Sequence, residues 1–228
     1  LVRTMVLVTA IGVFAVGDAF NTANGLPNAI YALVSAGLLT AIVVPQVVKA
    51  ARNADGGFAF ISKLFTIGVV GLFAITVLAM VAVPWLVELY SPQFSAPQKV
   101  LAVALGYWCV PQLFFYGVFA LIGETLNARN VFGPYAWAPV VNNIVSTAGF
   151  ALIIGLYGGN LTVIEDWTPD RIALLGGSAT LGIAVQFFVL MLFWKRAKLR
   201  ASAALPLWST PFWTRPRAWN RVPRAWTS

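Results

Sequence analysis

Long apolar runs separated by short polar stretches organise the chain. Charge-free apolar residues extend from Ala29 to Val48, Leu64 to Val87, Val100 to Gly123, Pro134 to Asn160 and Ile172 to Trp194. A hydrocarbon core about 30 Å thick is crossed by roughly 20 residues of helix rising about 1.5 Å each, so each run predicts one membrane-spanning helix. Thr4 to Gly17 is a shorter apolar run. It reads as the end of a first span that begins before Leu1; a cleaved signal peptide is the alternative, although no small-residue cleavage site and soluble domain follow it. Between the first two runs stands "GDAFNTANGLPNAIYALVSAG", Gly17 to Gly37, with Asp18, Asn21, Asn24, Pro27 and Asn28. This stretch is expected to be a polar hairpin on the outer surface, with Pro27 and Asn28 opening the second span.

Composition agrees with this reading. Hydrophobic residues make up 60% of the chain and charged residues 10%, far from the balance of a soluble domain. The fold class expected is therefore an all-α integral membrane protein of about six transmembrane helices. The net charge of +8 reflects topology. With the N-terminus inside, the inner segments hold thirteen Lys and Arg residues, and the outer loops hold only Lys99 and Arg171. The positive-inside rule then puts both termini in the cytoplasm and the loops near Asp18, Gln93 and Asp166 outside. Basic residues dispersed over loops argue against nucleic acid as a partner and leave membrane lipids.

Chemistry narrows further. Cys109 is the one cysteine and histidine is absent, which excludes an intrachain disulfide, Ser-His-Asp catalysis and histidine metal sites. No P-loop is present, and Glu88 and Glu124 lie a whole helix apart, so no cofactor, metal or enzymatic centre is expected. Pro45, Pro84 and Pro111 fall within apolar runs, and each removes a backbone hydrogen bond, making Pro27, Pro45 and Pro111 candidate hinges. Asp18 follows an apolar run directly, where an unpaired carboxylate demands a cation or a water-filled cavity. Arg3 is open to two readings, a cytoplasmic topology anchor or a ligand contact.

"GDAFNTANGLPNAIYALVSAGLLTAIVVPQVVKA" resembles the first hairpin of the MurJ/MviN family of lipid II flippases, with its D-A-F...L-P-N pattern and small-residue helix ending in V-P. "PQLFFYGVFALIGETLNARNVFGPYAWAPVVNNIV", Pro111 to Val145, is similar to that family's P-Q-x-F-F...L-N-x-x-x-x-F...A-P-x-x-x-N block. The likeness covers residues 1–200 and looks most like actinobacterial members. It implies one lobe of a two-lobed exporter of the multidrug/oligosaccharidyl-lipid/polysaccharide superfamily. Such an exporter sits in the bacterial cell membrane and moves the undecaprenyl-pyrophosphate-linked peptidoglycan precursor, lipid II, to the outer leaflet by alternating access. Arg3 matches a family arginine of the first helix, in a cavity that receives the pyrophosphate, and Asp18 matches the family aspartate at that helix's outer end. Asn21 and Asn24 beside it complete the candidate substrate-binding set.

The sequence also departs from the family. Many relatives carry arginine just after L-P-N, where Tyr31 and Ala32 stand here, and another cavity arginine would lie beyond Ser228. The resemblance thus implies a missing C-terminal lobe as partner, and the chain reads as a fragment. Residues 201–228 form a separate tail: Leu205 to Ser228 holds four tryptophans, four arginines and four prolines. That proline density argues for disorder and a departure from the family's reading frame, against adsorption to an anionic leaflet. Two other functions stay open, export of a drug or polysaccharide intermediate and a nonconducting membrane scaffold.

Overall fold

The computed structural model describes residues 1–35, 58–127 and 133–194. These form helices α1 (Val2–Ile11), α2 (Ala15–Val34), α3 (Phe58–Tyr90), α4 (Ala96–Cys109), α5 (Gln112–Asn127), α6 (Gly133–Tyr157) and α7 (Pro169–Trp194), with a single 3-10 turn at Ile164–Asp166. Four helical stretches among the described residues are long and apolar enough to cross a membrane: 65–90, 96–123 (α4 and α5 together), 135–157 and 169–192. The chain is an all-α membrane protein. Pro45 and the whole tail lie outside the described residues.

The opening polar stretch is helix, which corrects the hairpin expected from sequence. The turn lies upstream, at Gly12, whose φ of 74° is a left-handed conformation that glycine adopts without strain. α2 then runs unbroken from Ala15 to Val34 with Pro27 inside it. Its buried residues, Val16, Ala19, Phe20, Ala23 and Leu26, recur at helical spacing and supply the apolar face that makes the segment fold as a helix. Asp18 therefore belongs to the first turn of α2, where the positive end of the helix dipole favours a carboxylate, and not to the outer end of α1.

Three connections meet at one end of the bundle. The Asn160 and Leu161 amides donate to the carbonyls of Thr9 (2.8 Å) and Ala10 (2.9 Å), satisfying the last turn of α1. Gln98 Nε2 donates to the Ala15 carbonyl at 3.0 Å, and the Thr22 and Ser91 hydroxyls share a hydrogen bond of 3.0 Å. Trp167 is buried there and donates to the Leu161 carbonyl at 3.3 Å. Asp18, Gln93 and Asp166 thus share one end, the grouping that the basic residues predicted. On the same end Lys99 pairs with Glu88 at 2.7 Å, an exposed bridge of little consequence for stability.

Within the bundle, α6 and α7 pack through small residues. A Cβ on Gly149 would overlap the Ser178 side chain, and one on Gly182 would overlap Ser146 and Asn142. Such contacts let backbones approach closely where lipid supplies no hydrophobic drive. α2 packs on α4, and α1 on α6. One core cluster joins Phe20, Leu105, Leu113, Phe150 and Leu175, contributed by α2, α4, α5, α6 and α7.

Candidate functional site

The site begins with the exposed face of α2. Asp18, Asn21, Gly25 and Asn28 are exposed and follow one another at intervals of three or four residues, which places them on one stripe. At about 1.5 Å per residue the stripe descends roughly 15 Å from Asp18 to Asn28, to the middle of a bilayer. Amide and carboxylate groups facing hydrocarbon at that depth would lack hydrogen-bond partners, so this face belongs against a water-filled cavity or other protein. α3 shows the contrast. Its exposed side chains include Ile67, Val70, Phe73, Val77, Leu78, Val81 and Trp85, and the hydroxyl of Thr76 folds back onto the Leu72 carbonyl at 2.8 Å. That face suits lipid.

Arg3 is half-buried near the start of α1. Eight residues, about 12 Å of helix, separate it from Ile11 at the end of α1. Its guanidinium sits over the ring of Phe150, 5.8 Å from the centroid. Phe150 is buried and meets Phe20 edge-on with centroids 5.9 Å apart, so α2 and α6 together hold the surface on which Arg3 rests.

Arg3 opens on a groove of about 610 Å³ between α1 and α6, lined also by Asn143, Thr147, Val140, Ile144, Ala148 and Ala151. Asn143 Nδ2 donates to the Pro139 carbonyl at 3.0 Å, and the Thr147 hydroxyl donates to the Asn143 carbonyl. The remaining acceptor and donor capacity of these side chains, with a permanently charged guanidinium and apolar walls, suits an amphiphile with an anionic head. Asp18, Asn21 and Asn24 do not line this groove. The structure thus separates the sequence-derived residues into an arginine groove and a polar stripe.

Asn24 has a role that sequence reasoning missed. It is half-buried, and its side-chain oxygen accepts from Gln112 Nε2 at 3.2 Å. Gln112 is 1% exposed and its Nε2 also donates to the Thr180 hydroxyl at 3.1 Å. Pro111 sits at the break between α4 and α5, where a hinge was expected. Gln112 lies inside the P-Q-x-F-F block and Asn143 ends the A-P-x-x-x-N pattern, signals that could have drawn attention; Thr180 stands in an apolar run without one. Among the described residues no group of histidine, cysteine and acidic side chains could hold a metal ion.

Comparison with known proteins fits this architecture. The family model described as Lipid II flippase MurJ matches residues 7–222. The chain belongs to the MurJ family. It is 30% identical over 166 residues to the probable lipid II flippase MurJ of Rickettsia prowazekii (strain Madrid E), covering 69% of this chain and 31% of that protein. Against the probable lipid II flippase MurJ of Rhizobium meliloti (strain 1021) the identity is 29% over 187 residues, covering 80% and 35%. A solved lipid II flippase MurJ in an inward closed conformation superposes with a TM-score of 0.62 at 21% identity, over 84% of this chain and 39% of that one. This likeness shows the fold. The chain spans about a third of the length of the curated MurJ relatives it matches. Family membership with apolar helices long enough to span makes it a bacterial cell-membrane protein.

Proposed function

We propose that this chain forms the first lobe of a lipid II flippase and takes part in moving the lipid-linked peptidoglycan precursor to the outer leaflet. The observation that carries the reading is Arg3, stacked on Phe150 beside a groove with both polar and apolar walls. A pyrophosphate can accept two parallel hydrogen bonds from a guanidinium, and the low dielectric of a membrane interior strengthens them. The polar stripe of α2 supplies a second wall that requires water or protein opposite it. A second lobe provides that cover, and rocking of two lobes about a central site gives alternating access. Asp18 and Asn21 contribute to the polar lining, and Asn24 chiefly to its support.

The reading is tested by the purified chain in nanodiscs titrated with lipid II and with an uncharged polyprenol of equal length. Saturable binding of lipid II and none of the polyprenol is expected; equal binding of both would overturn the pyrophosphate role. Expression of the 228-residue chain in flippase-depleted cells is expected to leave growth unrescued, because one lobe cannot enclose the cavity. Rescue would show that the chain works without another lobe.

The orientation of this lobe puts the Asp18, Gln93 and Asp166 end outside. Single cysteines at Asp18, Gln93 and Asp166 in a Cys109→Ala background should react with an impermeant thiol reagent on intact cells. Labelling only after permeabilisation would reverse the assignment.

A further inference from the structure

The bend between α4 and α5 has two candidate causes. Pro111 offers no N–H to the carbonyl one turn earlier, and a proline in mid-span is the ordinary origin of a kink. The structure shows a second device at the same level. The Trp108 carbonyl, in the last turn of α4, accepts from the Thr180 hydroxyl of α7 at 2.6 Å. Thr180 in turn accepts from Gln112 Nε2, and the same nitrogen donates to Asn24 of α2. Both Gln112 amide protons and the Thr180 proton are thereby used, and the three side chains join α2, α7 and the two halves of the broken span. Gln112, at the centre of the relay, is 1% exposed, while Asn24 and Thr180 are half-buried. A satisfied polar network in a low-dielectric interior holds one arrangement firmly, because every alternative leaves a buried donor without a partner.

We propose that the Asn24–Gln112–Thr180 clasp, rather than Pro111, sets the bend between α4 and α5 and fastens the polar face of α2 to α7, so that these elements move as one rigid unit. The backbone around the bend supports this division. Leu113 and Phe114 donate to the carbonyls of Val110 and Pro111 at 3.0 and 3.2 Å, a tight turn that accommodates proline but needs no proline to form. A change at the polar face that displaces Asn24 is transmitted through Gln112 to the bend. The clasp operates whether or not lipid II is the ligand.

The test uses the full 228-residue chain in nanodiscs. Spin labels on Asn28→Cys and Leu181→Cys, both exposed, report the α2–α7 distance in a Cys109→Ala background. Hydrogen exchange of the peptide spanning residues 106–114 reports the bend. Thr180→Val is nearly isosteric and removes the hydroxyl. It should raise exchange at the bend roughly tenfold, the effect of losing about one hydrogen bond, and broaden the distance distribution. Thr180→Ser should restore both readouts, and Pro111→Ala should leave the distance unchanged. Gln112→Leu should behave as Thr180→Val; if it fails to accumulate, Thr180→Val decides. Wild-type exchange and distances in Thr180→Val, or a distance that changes in Pro111→Ala alone, would overturn the proposal.

Discussion

Replacing Arg3 with alanine is expected to weaken binding of lipid II by roughly 30- to 150-fold, since a charged hydrogen-bonded contact contributes about 2–3 kcal/mol. Arg3→Lys should recover only part of the loss. Lysine keeps the charge but not the planar fork that meets two phosphate oxygens together, and its ammonium stacks less well over Phe150. Insertion and orientation should be unaffected in both variants, because the remaining basic residues keep the inside bias. Binding to purified, folded variants is the measurement. Unaltered affinity in Arg3→Ala would remove Arg3 from the site. A drop in abundance at unchanged affinity would return it to a purely structural role.

The largest loss of stability is expected at the α6–α7 contact. Gly149→Val puts a branched side chain where the Ser178 side chain already sits, and the reciprocal Gly182→Val meets Ser146 and Asn142. The Ser146 hydroxyl donates to Asn142 at 3.1 Å, so yielding there also breaks a buried hydrogen bond. Each change should cost about 1–3 kcal/mol, or more if the helices separate. In thermal unfolding this corresponds to a fall of roughly 2–4 °C per kcal/mol for a chain of this size. Gly155→Val on the same helix faces open space and serves as the control. Equal melting of Gly149→Val and Gly155→Val would show that the close approach is unimportant. Because both glycine changes act on one interface, the double variant should fall short of the sum.

Two of these outcomes bear on one another. The Phe150 ring beneath Arg3 lies on the same helix as Gly149, so a shift of α6 against α7 also moves the platform of the guanidinium. Gly149→Val should therefore reduce ligand affinity as well as stability, while Gly155→Val should change neither.

Much of the lobe was legible in the chain because lipid imposes a simple requirement. A segment that crosses hydrocarbon must satisfy its backbone internally and cover it with apolar side chains, so runs such as Leu64–Val87 and Ile172–Trp194 announce helices by composition alone. The end on which Asp18, Gln93 and Asp166 gather followed from the basic residues for a similarly local reason, the preference of cationic side chains for one side. The family was legible in two residue blocks.

The first hairpin was misplaced because polarity was weighed without periodicity. Asp18, Asn21 and Asn28 resemble a surface loop when counted, but Val16, Ala19, Phe20, Ala23 and Leu26 alternate with them at helical spacing. Pro27 pointed the same wrong way, since a proline at a helix start is commoner than one inside. Gly12 carries the actual turn, and its single residue left no pattern to read.

The sequence by itself determined that this is a helical membrane protein, which loops share an end, and which arginine and aspartate are worth testing, because these depend on transfer free energies and local charge. Only the tertiary structure decided that Arg3 rests on Phe150, that Asn24 is tied to Gln112, and that Thr180 closes onto the Trp108 carbonyl. Residues 3 and 150, 24 and 112, and 108 and 180 are far apart along the chain. Their contacts arise from how six helices pack, a cooperative outcome of shape and hydrogen bonding that no single segment carries.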